Sequence, residues 1–383
     1  MVQDEIRKLR RFVRDYTGGL GPHEIQAELG RDASRAWGVL TRDHVRDAEP
    51  RGLLARSWHR TRVAFLGLSS KLSPPRRILF AACILVAVVG VYQEQAEGAG
   101  FGSVPAAPLL VVSILGLVFL LALELADRVV VRDELEVARE LQQGLLPRAA
   151  PDVDGYGFVF SSATANTIGG DYYDFLPVAD GRLALVIGDA SGHGIAAGLV
   201  MAIANATLQL ALDLDPSPAA VAALVNRALF RTGGQRAFMT LFYGVLEPAS
   251  GRLDYICAGH PYPILRHGNG DIEELGSGSL PLGLRLDAAP SIGQATVAPG
   301  DTLMLYTDGI PEALDPHGRS FGFETMRQLL EPGGSPREVY DRVVGSLRRF
   351  EAGTPAADDR SLVVIARDQQ AEPDGERKDP GSD

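Results

Sequence analysis

The sequence predicts an α+β fold for the larger, C-terminal part of this 383-residue chain. Six short runs between residues 155 and 367 are rich in Val, Ile, Leu, Tyr and Phe, and turn residues bound them, as strands are bounded. Four amphipathic runs lie among them, first as a pair and then as two more late in the chain. Strict β–helix–β alternation would require a doubly wound sheet, whereas segregated blocks require sheets covered by helices. Two long apolar runs and a helical stripe precede this part. The expected organisation is therefore an N-terminal cytoplasmic helical region at 1–75, a transmembrane hairpin at 76–126, a linker helix at 127–147, a globular domain at 148–367 and a disordered polar tail at 368–383.

Taken in order, residues 1–70 are charged, with scattered apolar residues and glycines that break them into short helices. WHRTRVAFLGL (58–68) reads as a short amphipathic helix whose Trp58, Arg60 and Arg62 suit a headgroup zone, or as ordinary surface. Two prolines, Pro74 and Pro75, mark a break before ILFAACILVAVVGVY (78–92), which has no charge. AAPLLVVSILGLVFLLAL (106–123) has Ser113 as its only polar residue. A span needs about 20 apolar residues, so the pair reads as two membrane helices. Residues 93–105 between them hold Glu94 and Glu97 but no Lys or Arg. Lys71, Arg76 and Arg77 flank one side, and Arg128 and Arg132 the other. Positive charge stays inside, so both termini and the globular domain are expected in the cytoplasm, with the hairpin in the inner or plasma membrane among its lipids. The next run, ending ELEVARELQQGLLP, spaces Val131, Leu135, Ala138, Gln142 and Leu145 near a heptad, with Leu141 beside the stripe and Pro147 ending it. Such a stripe needs a partner: a second copy in a homodimer, or the chain's own domain.

The strand-like runs are YGFVFSSATA, GRLALVIGDA, FMTLFYGVLE, GRLDYICAG, DTLMLYTDG and RSLVVIARD. The helical ones are HGIAAGLVMAIANATLQLAL, PAAVAALVNRALFRT, FETMRQLL and PREVYDRVVGSLRRF. A net charge of -11 argues against nucleic acid as a partner. Two cysteines, Cys83 and Cys257, make neither a disulfide framework nor a thiolate metal cage.

What the core does not require is an acid at the end of so many strands. Asp171 and Asp174 lie in TIGGDYYDF, Asp189 ends LALVIGDA, Asp308 follows TLMLYT, and Asp358 and Asp359 precede the last strand. Acidic turns would explain any one of these. If the strand ends converge, the carboxylates repel unless a cation neutralises them. Hard oxygen donors without cysteine suit Mg²⁺ or Mn²⁺ better than zinc. The stretch VIGDASGHG (186–194) has no lysine, so it is not a P-loop. It also lacks the GxSxG elbow, so Ser191 and His193 do not read as nucleophile and base. His193 reads better as a cap of the following helix or a contact to phosphate.

Eight segments, in this order, carry a resemblance: ELEVARELQQGLLP, IGGDYYDF, VIGDASGHG with IAAGLVMA, FMTLFYGVLE, ICAGHPYP, LPLGL, YTDGI and ADDRSLVV. Together, over about 134–366, they resemble the PPM/PP2C-type serine/threonine phosphatases of the bacterial RsbU/SpoIIE subgroup. The resemblance implies a PP2C-like β-sandwich flanked by helices (αββα) and a centre of two Mn²⁺ or Mg²⁺ ions, with an optional third. It also implies an Mn/Mg-dependent phosphoprotein phosphatase acting on phosphoserine or phosphothreonine, with a phosphorylated STAS-domain anti-anti-sigma protein as substrate. Asp189 falls on the bridging carboxylate and Ala190 on the position that offers a main-chain carbonyl. Asp308 and Asp358 match the acids that complete the second ion, and Asp171 the acid near the first. Asp174 and Asp359 match positions behind the ligands or at the optional ion. Gly192 and Gly194 match the glycines of the turn, and His193 or His260 is a candidate proton donor. Gly198, Tyr262 and Ser361 depart from the family pattern without removing a ligand. Two other readings remain open from sequence: a silent membrane-tethered scaffold, and a metal hydrolase of small phosphomonoesters.

Overall fold

The computed structural model describes Gly30, Trp37 and residues 52–96, 106–233 and 237–369. Most of the expected N-terminal helices, much of the loop between the apolar runs and nearly all of the polar tail lie outside the described residues. The chain divides into two units, Met1–Val130 and Val131–Asp383.

In the first unit, α1 (Leu53–Lys71), α2 (Pro74–Ala96) and the first part of α3 (Ala106–Gln143) are helical. The second and third are antiparallel by their contacts. Arg76 pairs with Glu124 at 3.2 Å, the Ser113 hydroxyl donates to the Cys83 carbonyl at 2.8 Å, and Gly90 lies against Leu109 and Leu110. A Cβ at Gly116 would collide with the Cys83 sulfur, so a small residue lets the backbones approach there. Phe80, Leu72 and Leu120 are buried, while Val111, Val112, Ile114, Leu115, Val118 and Phe119 are exposed. Among the described residues, Pro74–Gln93 and Ala107–Gln143 are long and apolar enough to cross a membrane, and so is Ile195–Leu214 by length and composition. The last has another explanation: Ala197, Val200, Met201, Ala204, Leu208 and Ala211 bury its inner face against a sheet.

The second unit contains two antiparallel sheets. Its strands are β1 (Tyr156–Ala163), β2 (Asp171–Pro177), β3 (Leu183–Ala190), β4 (Met239–Glu247), β5 (Arg252–Ala258), β6 (Ile264–Arg266), β7 (Ile272–Glu274), β8 (Ile292–Thr296), β9 (Thr302–Tyr306) and β10 (Arg360–Arg367). Its further helices are α4 (Ile195–Leu214), α5 (Pro218–Gly233), α6 (Phe323–Leu330) and α7 (Pro336–Glu351). One sheet has the order β1-β10-β9-β6-β7 and the other β2-β3-β4-β5-β8. Side chains alternate along each strand, so each sheet has two apolar faces. Leu185, Ile187, Phe242, Leu305, Val363 and Ile365 meet between the sheets. Ala184, Val186, Leu241 and Tyr243 point outward under α4 and α5. Met304, Tyr306 and Val364 point outward under α6 and α7. The result is a helix–sheet–sheet–helix sandwich, as expected. Helix α7 starts at a capping box, with Ser335 accepting from the Glu338 backbone and the Glu338 carboxylate accepting from the Ser335 N–H.

Four strands were not among the six runs. β2 is hidden inside an acid-rich segment, and β6, β7 and β8 have only three to five residues each. The stripe on α3 meets its own domain at its C-terminal end. Gln142 is buried, Leu145 packs against the core under α4, Leu135 and Ala138 are half-buried, and Val131 is left exposed, as is Leu141 beside the stripe.

Candidate metal centre

The same alternation that builds the core aims the acids. On β3, Leu183, Leu185 and Ile187 face the space between the sheets, and Asp189 continues that series. On β2, Tyr173 and Phe175 face the same space, and Asp171 begins their series. Antiparallel register sets Asp171 opposite Asp189, and Asp189 opposite Thr240 of β4. In the other sheet, Leu303 and Leu305 of β9 face inward, and Thr307 follows with Asp308 beside it. The Thr307 hydroxyl donates to the Asp171 carboxylate at 2.8 Å, which ties the two sheets together at this end. The Ser361 N–H donates to the Thr307 hydroxyl oxygen at 2.9 Å, bringing the start of β10 to the same place.

The loops close round these strand ends through their glycines. A Cβ at Gly170 would lie 2.7 Å from Asp189 Oδ1 and 2.8 Å from the Ala190 carbonyl oxygen. Only glycine leaves that space free, and the two oxygens on it are hard donors of the kind Mg²⁺ and Mn²⁺ take. A Cβ at Gly309 would collide with the Asp359 carbonyl, so the Asp308 loop and the 358–359 loop run in close contact. Arg360 secures them: its guanidinium donates to the Gly309 carbonyl at 3.2 Å and pairs with Glu351. Gly192 and Gly194 have φ of 94° and 65°, which a residue with a side chain rarely adopts, so the sharp turn after Asp189 requires them.

Electrostatics show that the acids share one neighbourhood. Burial, and then the charges of Asp171, Asp308, Asp358 and Asp359, push the Asp189 carboxyl up to about 8. Asp171 is pushed up to about 7, mainly by burial; hydrogen bonds from Thr307 and Ser361 oppose this, and Asp359 and Asp308 add to it. Asp308 is raised by burial and then by Glu312 and Asp358. Among the described residues, however, no three His, Cys, Asp or Glu side chains stand close enough together to form a ready-made ion site. What the structure brings together is a set of carboxylates whose charges raise one another's pKa, with the Asp189 and Ala190 oxygens set close against Gly170.

The remaining expected residues fall into distinct places. Asp358 is exposed and accepts from the Asp359 N–H at 2.9 Å. Asp359 is buried and holds the opposite loop, accepting from Ala165 N–H at 2.7 Å and Gly170 N–H at 2.6 Å. Asp174 is not part of the cluster. It is an even-numbered neighbour on β2, so it faces α4, where it accepts from the Tyr172 hydroxyl at 3.0 Å, and Asn205 donates to that hydroxyl at 2.9 Å. His193 is exposed on the turn. His260 is buried beside Thr240. It is 3% exposed, its Nδ1 meets the Thr240 hydroxyl at 3.0 Å, and burial lowers its pKa to about 3. It acts on the site through Thr240, which accepts from the Asp189 N–H at 3.2 Å. Ser191 likewise has a structural task, its hydroxyl accepting from the Phe238 N–H at 3.1 Å. Thr240 and Thr307 were missed from sequence. A hydroxyl next to Asp308 was a usable signal for Thr307; Thr240, on a strand distant in sequence, gave none. Beside Asp308 a cavity of about 510 Å³ opens, lined by His260, Tyr262, Tyr306, Glu312 and Phe323 among others.

Comparison with known proteins agrees with this architecture. The family described as Stage II sporulation protein E (SpoIIE) matches residues 179–368, a range that includes Asp189, Ala190, Asp308 and Asp358 but begins after Asp171. The chain is 27% identical over 276 residues to Protein IcfG of a Synechocystis species, covering 65% of this chain and 43% of that one. It is 25% identical over 237 residues to the phosphoserine phosphatase RsbP of Bacillus subtilis, covering 61% of this chain and 57% of that one. The chain thus spans about half the length of these relatives. Among solved structures, the SiaA-PP2C domain of Pseudomonas aeruginosa superposes with a TM-score of 0.56 at 21% identity, over 63% of this chain and 99% of that domain.

Proposed function

We propose that this chain, whose residues 179–368 match the SpoIIE family, is a PP2C/PPM-type serine/threonine phosphatase of the subgroup of RsbU, RsbP and SpoIIE, membrane-anchored and divalent-metal-dependent, acting on phosphoserine or phosphothreonine in a protein. The observation that carries the reading is the pairing of Asp171 with Asp189 at the end of the sandwich where Thr307 and Asp308 arrive from the other sheet.

Asp189, the Ala190 carbonyl, Asp171, Asp308 and Asp358 would hold two Mn²⁺ or Mg²⁺ ions. When bound, such ions acidify a water for attack on phosphorus and offset charge on the phosphoryl oxygens. The chain's own residues keep the donors in place. Thr307 fixes one oxygen of Asp171, and Thr240, backed by His260, fixes the backbone at Asp189. Arg360 and Asp359 hold the two loops that carry Asp308 and Gly170. Neither cysteine takes part: both are buried, and burial pushes the Cys257 thiol up to about 12. The cavity beside Asp308 offers aromatic and polar surface for the polypeptide flanking the phosphorylated residue. The names of RsbP and RsbU support phosphoserine as the group removed; a phosphorylated STAS-domain regulator is the substrate we favour, as the resemblance to the RsbU/SpoIIE subgroup implies. The arginines and lysine flanking the two apolar helices favour a cytoplasmic phosphatase domain.

The test uses the full chain in membranes and a phosphoserine-bearing protein. Phosphate release is expected in the membrane fraction, to require Mn²⁺ or Mg²⁺, and to stop with chelator. Chelator-resistant release, or none from any phosphoprotein, would overturn the reading. A small phosphomonoester hydrolysed faster than every phosphoprotein would favour the narrower hydrolase.

A further inference from the structure

Gln142 is the penultimate residue of α3, and it lies within the second unit at 9% exposure. A buried amide at a helix end needs partners, and this one finds them in the loop that leads to Asp171. Its Nε2 donates to the Gly169 carbonyl at 2.5 Å, and its Oε1 accepts the Gly169 N–H at 3.1 Å. Both polar groups of one backbone residue are thus bound by a single side chain, as a neighbouring strand would bind them. The Nε2 also lies 3.1 Å from the Met201 sulfur on α4.

The next groups along the loop are equally committed. The Gly170 N–H donates to Asp359, and the Gly170 carbonyl accepts from the Ala190 N–H at 3.1 Å. Asp171 follows at once. The loop has little room to shift, since a Cβ at Gly169 would lie 2.7 Å from both Asp359 Oδ2 and Thr164 Cγ2. Gly198 of α4 closes the junction from the other side: a Cβ there would lie 2.6 Å from Ile168 and 3.6 Å from Gln142 Nε2. Arg139 and Gln142 on α3 share a cavity of about 330 Å³ with Gly169 and Asp171.

We propose that Gln142 is a positioning residue for the carboxylate centre: by gripping Gly169 it sets the approach of Asp171 to Asp189, so that affinity for divalent ions depends on where the end of α3 sits. The inference rests on the reading of Asp171 and Asp189 as ion ligands. It adds a residue outside the acid set that controls them.

The experiment measures Mn²⁺ binding to the detergent-solubilised full chain, well below the melting temperature, alongside thermal melting without metal. Wild type is compared with Gln142→Ala, with Gln142→Glu, which keeps the acceptor for the Gly169 N–H but repels the Gly169 carbonyl, and with Leu141→Ala on the exposed neighbour. Both Gln142 variants are expected to weaken Mn²⁺ binding by about tenfold to a hundredfold, the usual loss when a group that orients a ligand is removed. Leu141→Ala is expected to bind as wild type does. Should Gln142→Ala fail to fold, Gln142→Asn, one methylene too short to reach both groups, replaces it. Lowered melting with unchanged Mn²⁺ affinity would make Gln142 a packing residue only and overturn the proposal. If wild type bound no Mn²⁺ at all, the ion-ligand reading would fail first and take the proposal with it.

Discussion

An Asp189→Asn variant is expected to lose phosphatase turnover to background while gaining stability in the absence of metal. The two effects share one cause. Asp189 sits at the meeting point of the cluster, opposite Asp171 in register and within reach of the charges of Asp308, Asp358 and Asp359. Its carboxylate is therefore the costliest of the set to keep ionised and the most valuable to a cation. Asparagine keeps the shape and removes the charge. Above about pH 8, where the wild-type carboxylate is ionised, repulsion within the metal-free cluster falls, so the metal-free melting temperature rises, and the wild-type increase on adding Mn²⁺ disappears. A merely structural Asp189 would show the reverse, with lowered melting and an intact Mn²⁺ response. Activity loss is expected to reach at least about a thousandfold, the upper range for removal of one electrostatic group from a reaction centre.

The second large effect is on stability against pH. Asp171 and Asp189 hold their protons in the folded, metal-free domain up to about pH 7 and 8, far above the ordinary carboxylate value. The folded state then binds more protons than the unfolded one, so stability falls as pH rises. The contribution is greatest below about pH 4 and is lost progressively up to about pH 8. Each unit of difference is worth about 1.4 kcal/mol before hydration of the partly open site reduces it. Each kcal/mol moves melting by about 2–4 °C in a domain of this size. Melting measured in chelator should therefore drop by several degrees between pH 5 and pH 8. Mn²⁺ at a hundred times its Kd should restore about 2.7 kcal/mol for each ion bound at the upper pH. A metal-free melting temperature that climbs over this interval would contradict the assignment of these two groups.

The sequence made the sandwich legible because its central strands are buried on both faces and read as unbroken apolar runs. Leu183–Ala190 is the clearest case. Strand β2 was not legible as a strand, because Asp171 and Asp174 made it look like a loop of ligands. Once β2 is seen as a strand, period-two alternation separates the two acids, sending Asp171 between the sheets and Asp174 under α4. The odd spacing between them is itself the signal, since residues an odd number apart on a strand face opposite ways. The fate of His260 was not legible, since its burial depends on Thr240, twenty residues away on a neighbouring strand. Nor could the stripe on α3 be assigned, because an apolar seam does not name its partner. Gln142, the polar member of that stripe, marked where the helix meets its own domain.

The central claim is that acids from both sheets form one centre for a pair of divalent ions. Low-temperature electron paramagnetic resonance of the Mn²⁺-loaded chain tests it most directly. Two bound ions with the exchange-coupled signal of a pair are the expected result, lost altogether in Asp189→Asn. Isolated, uncoupled Mn²⁺ that persists in Asp189→Asn would contradict it.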